Sequence, residues 1–261
     1  MQPLSQKKRK LPVDAGVVSY YFSDAAVVDE YAQAALWVGL WRSEQTVFER
    51  LFARRQRLLE LGCGAGRISI GLWKNGYRDL TGVDVSPAMV QKAVHLSDML
   101  SVPQAQVRFL QADATSLTAF PSDYFEGAIF GFNGLMQIPK RARRRKAMEA
   151  IRRVLVPNAF FVFTTHDRAN PFYADFWREE SQRWQAGRQN PALVEFGDRW
   201  YDSPLGHVFM HVPSREEILE DLALTGWCCV EDYSRCELAD EPPEVRQFSD
   251  ECRFWVAQNK S

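Results

Sequence analysis

Ten residues, Leu58-Leu59-Glu60-Leu61-Gly62-Cys63-Gly64-Ala65-Gly66-Arg67, constrain this chain more than any other stretch. Leu58 to Leu61 is a short apolar run bounded by turn residues, the pattern of a strand covered on both faces. Ile68, Leu72 and Trp73 then continue at helical spacing. Glycines at alternate positions let the backbone turn sharply and approach a ligand closely. A ligand there meets the free N–H groups and positive end of the following helix. A dinucleotide fingerprint needs a small residue where Arg67 stands, three places after the second glycine. That argues against a nicotinamide cofactor.

With 261 residues, 46% of them hydrophobic, the chain can build one large α/β domain with insertions. Its net charge of −1 draws it neither to nucleic acid nor to an anionic membrane, so a small or neutral partner is the easier reading. The five cysteines, Cys63, Cys228, Cys229, Cys236 and Cys252, show no metal-ligand spacing and an odd count. They read as reduced thiols of a cytoplasmic protein, with no metal site. No apolar run approaches the ~18 residues of a membrane span. Lys7-Lys8-Arg9-Lys10 lacks the apolar stretch of a signal peptide and reads as a solvated tail.

Two amphipathic helices, over 25–37 and 44–54, precede the first strand. After the glycine turn a helix runs to Asn75-Gly76, and Leu80 to Asp84 forms the second strand. Ser86-Pro87 supplies a helix cap, which leaves Asp84 free for a ligand. An acidic residue about twenty positions beyond the glycine turn is placed to accept ribose hydroxyls. Val107 to Leu110 is a third strand, Gly127 to Phe132 a fourth and Ala159 to Thr165 a fifth. The helix from Lys140 to Leu155 carries six arginines, read as a solvated outer face, with RNA contact as the lesser alternative because no aromatics interleave. His166-Asp167-Arg168 ends the fifth strand, where ligands of open α/β sheets sit.

The run Glu-x-Gly-x-Gly-x-Gly from Glu60 to Gly66, with Asp84 and Asp113 in register behind it, resembles the class I S-adenosylmethionine (SAM) dependent methyltransferases. The specific motifs cover about residues 40 to 165. Phe132 to Pro139, Thr164 to Arg168 and Cys252 to Trp255 also look like a bacterial subgroup of small-molecule type. The resemblance implies a Rossmann-like seven-stranded sheet of order 3-2-1-4-5-7-6 with helices on both faces. It implies SAM as cofactor and S-adenosylhomocysteine as product. It assigns Glu60, Gly62, Cys63, Gly64, Asp84, Val85, Met89 and Asn133 to the cofactor, gives Asp113 the adenine amine and gives the Ala114 N–H a ring nitrogen. Tyr31, Trp41 and Arg42 become the residues of an N-terminal cover, the aromatics for the sulfonium and Arg42 for the carboxylate. Core packing for Trp41 and pairing with Glu44 for Arg42 are the alternatives. Gln137 stands beside the methyl donor, where many such enzymes have histidine.

Residues 1–56 are thus a tail and helical cover, and 57–261 the methyltransferase domain. From 170 to 212 the pattern departs from the minimal core: a helix over 172–187, then strands over 194–201 and 207–212 joined by Asp202 to Gly206. This helix and hairpin read as a lid over the acceptor. Alternation puts Val208, Met210 and Val212 on one face, packed inward or onto the helix, and His207, Phe209 and His211 on the other, with His207 and His211 turned to solvent or to a substrate cleft. Ser214 and Glu217 form a capping box, and 227–233 and 252–258 are the closing strands around an acidic loop.

The expected activity is methyl transfer to an oxygen or nitrogen of a small molecule whose identity the sequence leaves open, as it does the oligomeric state. His166 and then His211 are the candidates for a general base, which is needed only if the acceptor must lose a proton. Gln137, Arg168, Trp177 and Arg199 are the candidates for acceptor contact. An RNA or protein methyltransferase and a non-catalytic SAM-binding module are the alternatives.

Overall fold

The computed structural model describes residues 12–203 and 206–260. The Lys7 to Lys10 tract lies outside the described residues. The strands are β1 (Arg57–Leu61), β2 (Asp79–Asp84), β3 (Val107–Gln111), β4 (Phe125–Phe130), β5 (Leu155–Thr165), β6 (Asp198–Ser203), β7 (Gly206–His211), β8 (Cys228–Ser234) and β9 (Arg253–Gln258). Seven form one sheet of order β3-β2-β1-β4-β5-β9-β8, while β6 and β7 pair as a separate hairpin. With the hairpin set aside, this is the expected methyltransferase order. Strands β1 to β5 are parallel, and β9 runs antiparallel to β5 and β8.

Helices α1 (Ala15–Tyr21), α2 (Ala25–Gln33) and α3 (Arg42–Leu51) precede β1, with a π-helical turn at Ala34–Val38. Then follow α4 (Arg67–Lys74), α5 (Pro87–Met99), α6 (Arg141–Val154), α7 (Ala174–Gln185), α8 (Arg215–Leu224), α9 (Arg235–Leu238) and α10 (Pro243–Phe248). Helix α1 and the two short helices α9 and α10, set in what reads as an acidic loop, are additions to the expected order. β4 begins and ends two residues before the expected range, and β5 starts at Leu155, carrying Asn158 at φ +65° through its early irregularity.

Alternation in β1 divides the sheet's core. Leu58 packs with the face that holds Ile70, Phe109 and Phe254, and Leu59 and Leu61 with the face that holds Met148, Phe161 and Trp255. A third, smaller core joins Val13, Val18, Phe22 and Val27 of the N-terminal cover to Met89 of α5 and to Ala192, Leu193 and Phe209 of the insertion. Phe209 is therefore buried.

The arginines of α6 correct the reading of a solvated face. Arg144 is buried and donates to Glu195 and Glu217, while Arg141 and Arg145 both grip the buried carboxylate of Asp221 on α8. Arg152 reaches the Gly226 carbonyl, and Arg153 the carbonyls of Leu117 and Phe120. Most of these guanidiniums staple neighbouring elements. Ser214 caps α8 by accepting from the Glu217 N–H, but the Glu217 carboxylate points at His211, Arg144 and Arg168 and leaves the capping box half made.

Candidate functional site

The carboxyl ends of β1, β2, β3 and β4 open into a cavity of about 1120 Å³ including its mouth. The glycine turn forms its floor. Gly64 and Gly66 have φ of +52° and +89°, a region that costs a side chain strain, and a Cβ on Gly66 would sit 2.8 Å from the Phe109 ring. The Asp84 carboxylate at the end of β2 holds the turn, accepting from the Gly64 N–H at 2.9 Å and the Ser86 N–H at 2.8 Å. Burial pushes its carboxyl above the usual carboxylate range, against the pull of those N–H groups.

Glu60, at the end of β1, lines the same cavity. It accepts from the Ser69 N–H at 2.8 Å and from the Ser69 hydroxyl, yet burial outweighs both and pushes its pKa up to about 8. A raised carboxyl pKa means that the folded state holds a proton which the unfolded state has released. This group's contribution to stability therefore falls as pH rises from about 4.5 to about 8. Glu60→Gln has no such proton to lose, so its urea midpoint relative to wild type should climb between pH 5 and pH 8. Parallel curves for the two proteins would rule this out.

Asp113 follows β3. Its carboxylate accepts from the Thr115 N–H at 2.8 Å and from Arg143 of α6 at 3.3 Å, and Ala114 and Arg143 line the cavity beside it. Val85, Met89, Gly62 and Cys63 line it too. Burial pushes the Cys63 thiol up. Tyr31 enters from α2, edge-on to Phe22 and Phe132, with its hydroxyl at the Gln137 amide, and burial raises its pKa far above the ordinary tyrosine value.

The cover's other two residues lie elsewhere. The Trp41 ring is buried behind Phe132, 4.6 Å from the Arg67 guanidinium. The Arg42 guanidinium donates to the Asp240 carbonyl on the protein's exterior, because Glu241 of the segment between β8 and β9 takes the N–H groups of Arg42 and Ser43 and sets the start of α3. Arg67, not Arg42, lines the cavity on this side: its guanidinium makes a bidentate hydrogen-bonded pair with Glu44, at 2.7 and 2.6 Å, and also reaches the Gly39 carbonyl.

The remaining candidates fall into two further groups. Asn133, buried and left-handed at φ +58°, donates its N–H to Thr164 and its amide to His166 Nε2 at 3.2 Å. His166 Nδ1–H in turn donates to the Glu251 carbonyl at 3.1 Å, so the ring is neutral, and burial lowers its pKa. His166 faces a second cavity of about 240 Å³, shared with Trp177, Tyr173 and Arg199, whose guanidinium lies 4.6 Å from the Phe176 ring. His211 is a correction to the expectation of a cleft-facing histidine. It is buried, with Asp198 at 2.9 Å on Nδ1 and Glu217 at 2.8 Å on Nε2. Ligand-type atoms of Glu195, Asp198 and His211 lie within 4.8 Å of one another, but the Arg144 guanidinium already occupies Glu195 as a counterion. Arg168 joins that ionic group through Glu217, donates to the Val212 carbonyl and stacks on Phe196. The side chain of His207 lies outside the described residues.

Sequence reasoning passes over Phe22, Phe132 and Phe248, all on the cavity wall. Phe132 stood inside the segment ascribed to the methyl donor. Phe22 and Phe248 carry no local signal, since each reaches the cavity from a helix end distant in sequence from the glycine turn.

Comparison with known proteins places this geometry. A family model described as a methyltransferase domain matches residues 58–158. The chain is 33% identical over 89 residues, 34% of its length, to an eEF1A lysine and N-terminal methyltransferase homolog of Drosophila melanogaster, of which the match covers 13%. It is 29% identical over 139 residues, 53% of its length, to the S-adenosyl-L-methionine-dependent Diels-Alderase iccD of Talaromyces variabilis, of which the match covers 42%. It thus spans less than half the length of either relative. Among solved structures, a SAM-dependent methyltransferase of Methanosarcina mazei superposes with a TM-score of 0.63 at 17% identity, over 82% of this chain and 97% of that one. No helix among the described residues is long and apolar enough to cross a membrane. The sheet order and the superposition give the chain the fold of the SAM-dependent methyltransferases, and residues 58–158, which hold the glycine turn and its acidic partners, match a methyltransferase domain.

Proposed function

We propose that this chain transfers the methyl group of SAM to an oxygen or nitrogen atom of a small molecule. The observation that carries the reading is the split of the cavity into a polar floor and an apolar roof. On the floor stand Asp84, Asp113, the Ala114 N–H and the glycine turn, a donor and acceptor set that fits ribose hydroxyls and an adenine edge. Above it stand Val18 and Phe22 of the cover, held down by the Ser86 hydroxyl donating to the Phe22 carbonyl at 2.8 Å.

When bound, the cofactor supplies an electrophilic methyl group on a sulfonium centre. The chain's residues have the tasks of holding, aligning and drying the site. Asp84 would take the ribose, Asp113 and Ala114 the adenine, and the Tyr31 ring would face the cationic end. Val18 and Phe22, with the insertion 170–212 packed behind them, would act as the lid that excludes water. Gln137, at the tyrosine hydroxyl, offers a neutral amide to the acceptor. His166 is set back behind Asn133 with a partner on each ring nitrogen, which favours acceptors that need no base at that position.

A polypeptide acceptor is the second reading, favoured by the lysine and N-terminal methylation for which the Drosophila relative is named. An RNA acceptor draws less support, since the arginines of α6 are largely taken up by internal partners. Calorimetry should give low-micromolar or tighter binding of SAM and S-adenosylhomocysteine and none of NAD. Tight NAD binding without SAM binding would end the reading. Incubation with methyl-tritiated SAM and fractionated cell extract should label the small-molecule fraction, whereas label confined to protein would move the conclusion to the polypeptide acceptor.

A further inference from the structure

Four aromatic rings from distant parts of the chain meet along one wall of the cavity. Phe22 stands edge-on to Tyr31 at 5.8 Å, Tyr31 edge-on to Phe132 at 5.8 Å, and Phe132 stacks on Phe248 at 4.9 Å with an interplanar angle of 13°. All four line the cavity. The wall is braced from behind. Trp41 meets Phe132 edge-on and lies between the guanidiniums of Arg67 and Arg235, at 4.6 and 5.3 Å. Glu241, just before α10, holds the start of α3, so the helix that carries Phe248 is tied to the N-terminal cover.

The charges around this wall are already matched. Arg67 is paired with both oxygens of Glu44, and Arg143 with Asp113. The polar groups beside the rings, the Tyr31 hydroxyl and the Gln137 amide, are neutral. Asp84, whose charge reaches Tyr31, is taken up by the Gly64 and Ser86 N–H groups and by the ribose assigned to it, so a cationic acceptor would find no free carboxylate there, and an anionic one no free cation to compensate its desolvation. A saturated acceptor would lose the directional contacts that rings make with rings.

We infer that the methyl acceptor is a planar, uncharged aromatic molecule seated against Tyr31, Phe132 and Phe248, with Phe248 as a residue that determines acceptor specificity. A hydroxyl or amino group on such a ring is within the bonding repertoire of Gln137 and Tyr31, which would fix its approach. The inference rests on the proposed methyl transfer, which gives the polar floor to the cofactor and sets its cationic end before the Tyr31 ring.

Three probes of one size separate the possibilities: 2-naphthol, 2-naphthoate and decahydro-2-naphthol, each titrated with and without S-adenosylhomocysteine. The 2-naphthol should bind at least about tenfold more tightly than the other two, the scale of one or two aromatic contacts. Phe248→Leu keeps apolar bulk without a ring, and it should erase most of that preference while Phe248→Tyr keeps it. Melting temperatures check that both variants fold, and Phe132→Leu supplies a second ring deletion should one of them fail. No saturable binding of 2-naphthol, equal binding of the three probes, or a preference that survives Phe248→Leu and Phe132→Leu alike would overturn the inference. Failure of S-adenosylhomocysteine to bind while the preference persists would sink the cofactor assignment and uphold the aromatic acceptor site.

Discussion

Asp84→Ala is expected to weaken SAM by about 3 kcal/mol or more, at least about a hundredfold in affinity, because two hydrogen bonds to a charged acceptor are lost at roughly 1.5–3 kcal/mol each. The loss has a second source in this chain. The same carboxylate accepts from Gly64 and Ser86, so its removal frees the glycine turn and the entry to α5 as well. Asp84→Glu restores the charge on a longer stem and should recover only part of the affinity. Asp113→Ala should cost less, since that carboxylate is already shared with Thr115 and Arg143. Isothermal titration of S-adenosylhomocysteine into the three variants checks the order. If Asp84→Ala binds like wild type, the ribose end of the site has been misplaced.

Arg67→Met should lower stability by about 3–5 kcal/mol, the scale on which a buried carboxylate left without its cation is destabilising. Glu44 is 1% exposed, and its two oxygens depend on Arg67 and on the Trp41 N–H. Replacing both partners, as Arg67→Met with Glu44→Leu, removes the orphan charge and should restore much of the loss. Urea unfolding of the two singles and the double forms a closed thermodynamic cycle. A double variant no more stable than Arg67→Met would show that the damage comes from lost packing on Trp41 rather than from the stranded charge.

The sheet was legible in the sequence because its inner strands are buried on both faces and punctuated by turns, so Leu58 to Leu61 and Leu80 to Asp84 announce themselves within a few residues. The polar floor was legible for the same reason: Glu60 and Asp84 stand in the last two residues of their strands and Asp113 just beyond β3, at carboxyl ends that the topology fixes. The roof was not. Trp41 and Arg42 were read as facing the cofactor, but Arg42 is turned away from the cavity because Glu241, distant in sequence, draws the start of α3 toward itself. His211 reads as surface by alternation, and it is buried because Asp198 and Glu217 supply partners from either side. Partnerships across the fold leave no periodic trace, and the arginines of α6 mislead for that reason.

The small core shared by Val13, Val18 and Phe22 with Ala192, Leu193 and Phe209 draws on the first and the last third of the chain. Its closure entropy is recovered only after the sheet has brought those ends together, so it belongs among the last regions to consolidate during folding. By the same reasoning it is among the first to open from the native state, exchanging its amide hydrogens sooner than β1 or β4. Since this core carries the roof of the cavity, ligand entry and exit would be timed by a partial unfolding of the two chain segments together, not by the swing of a single hinge.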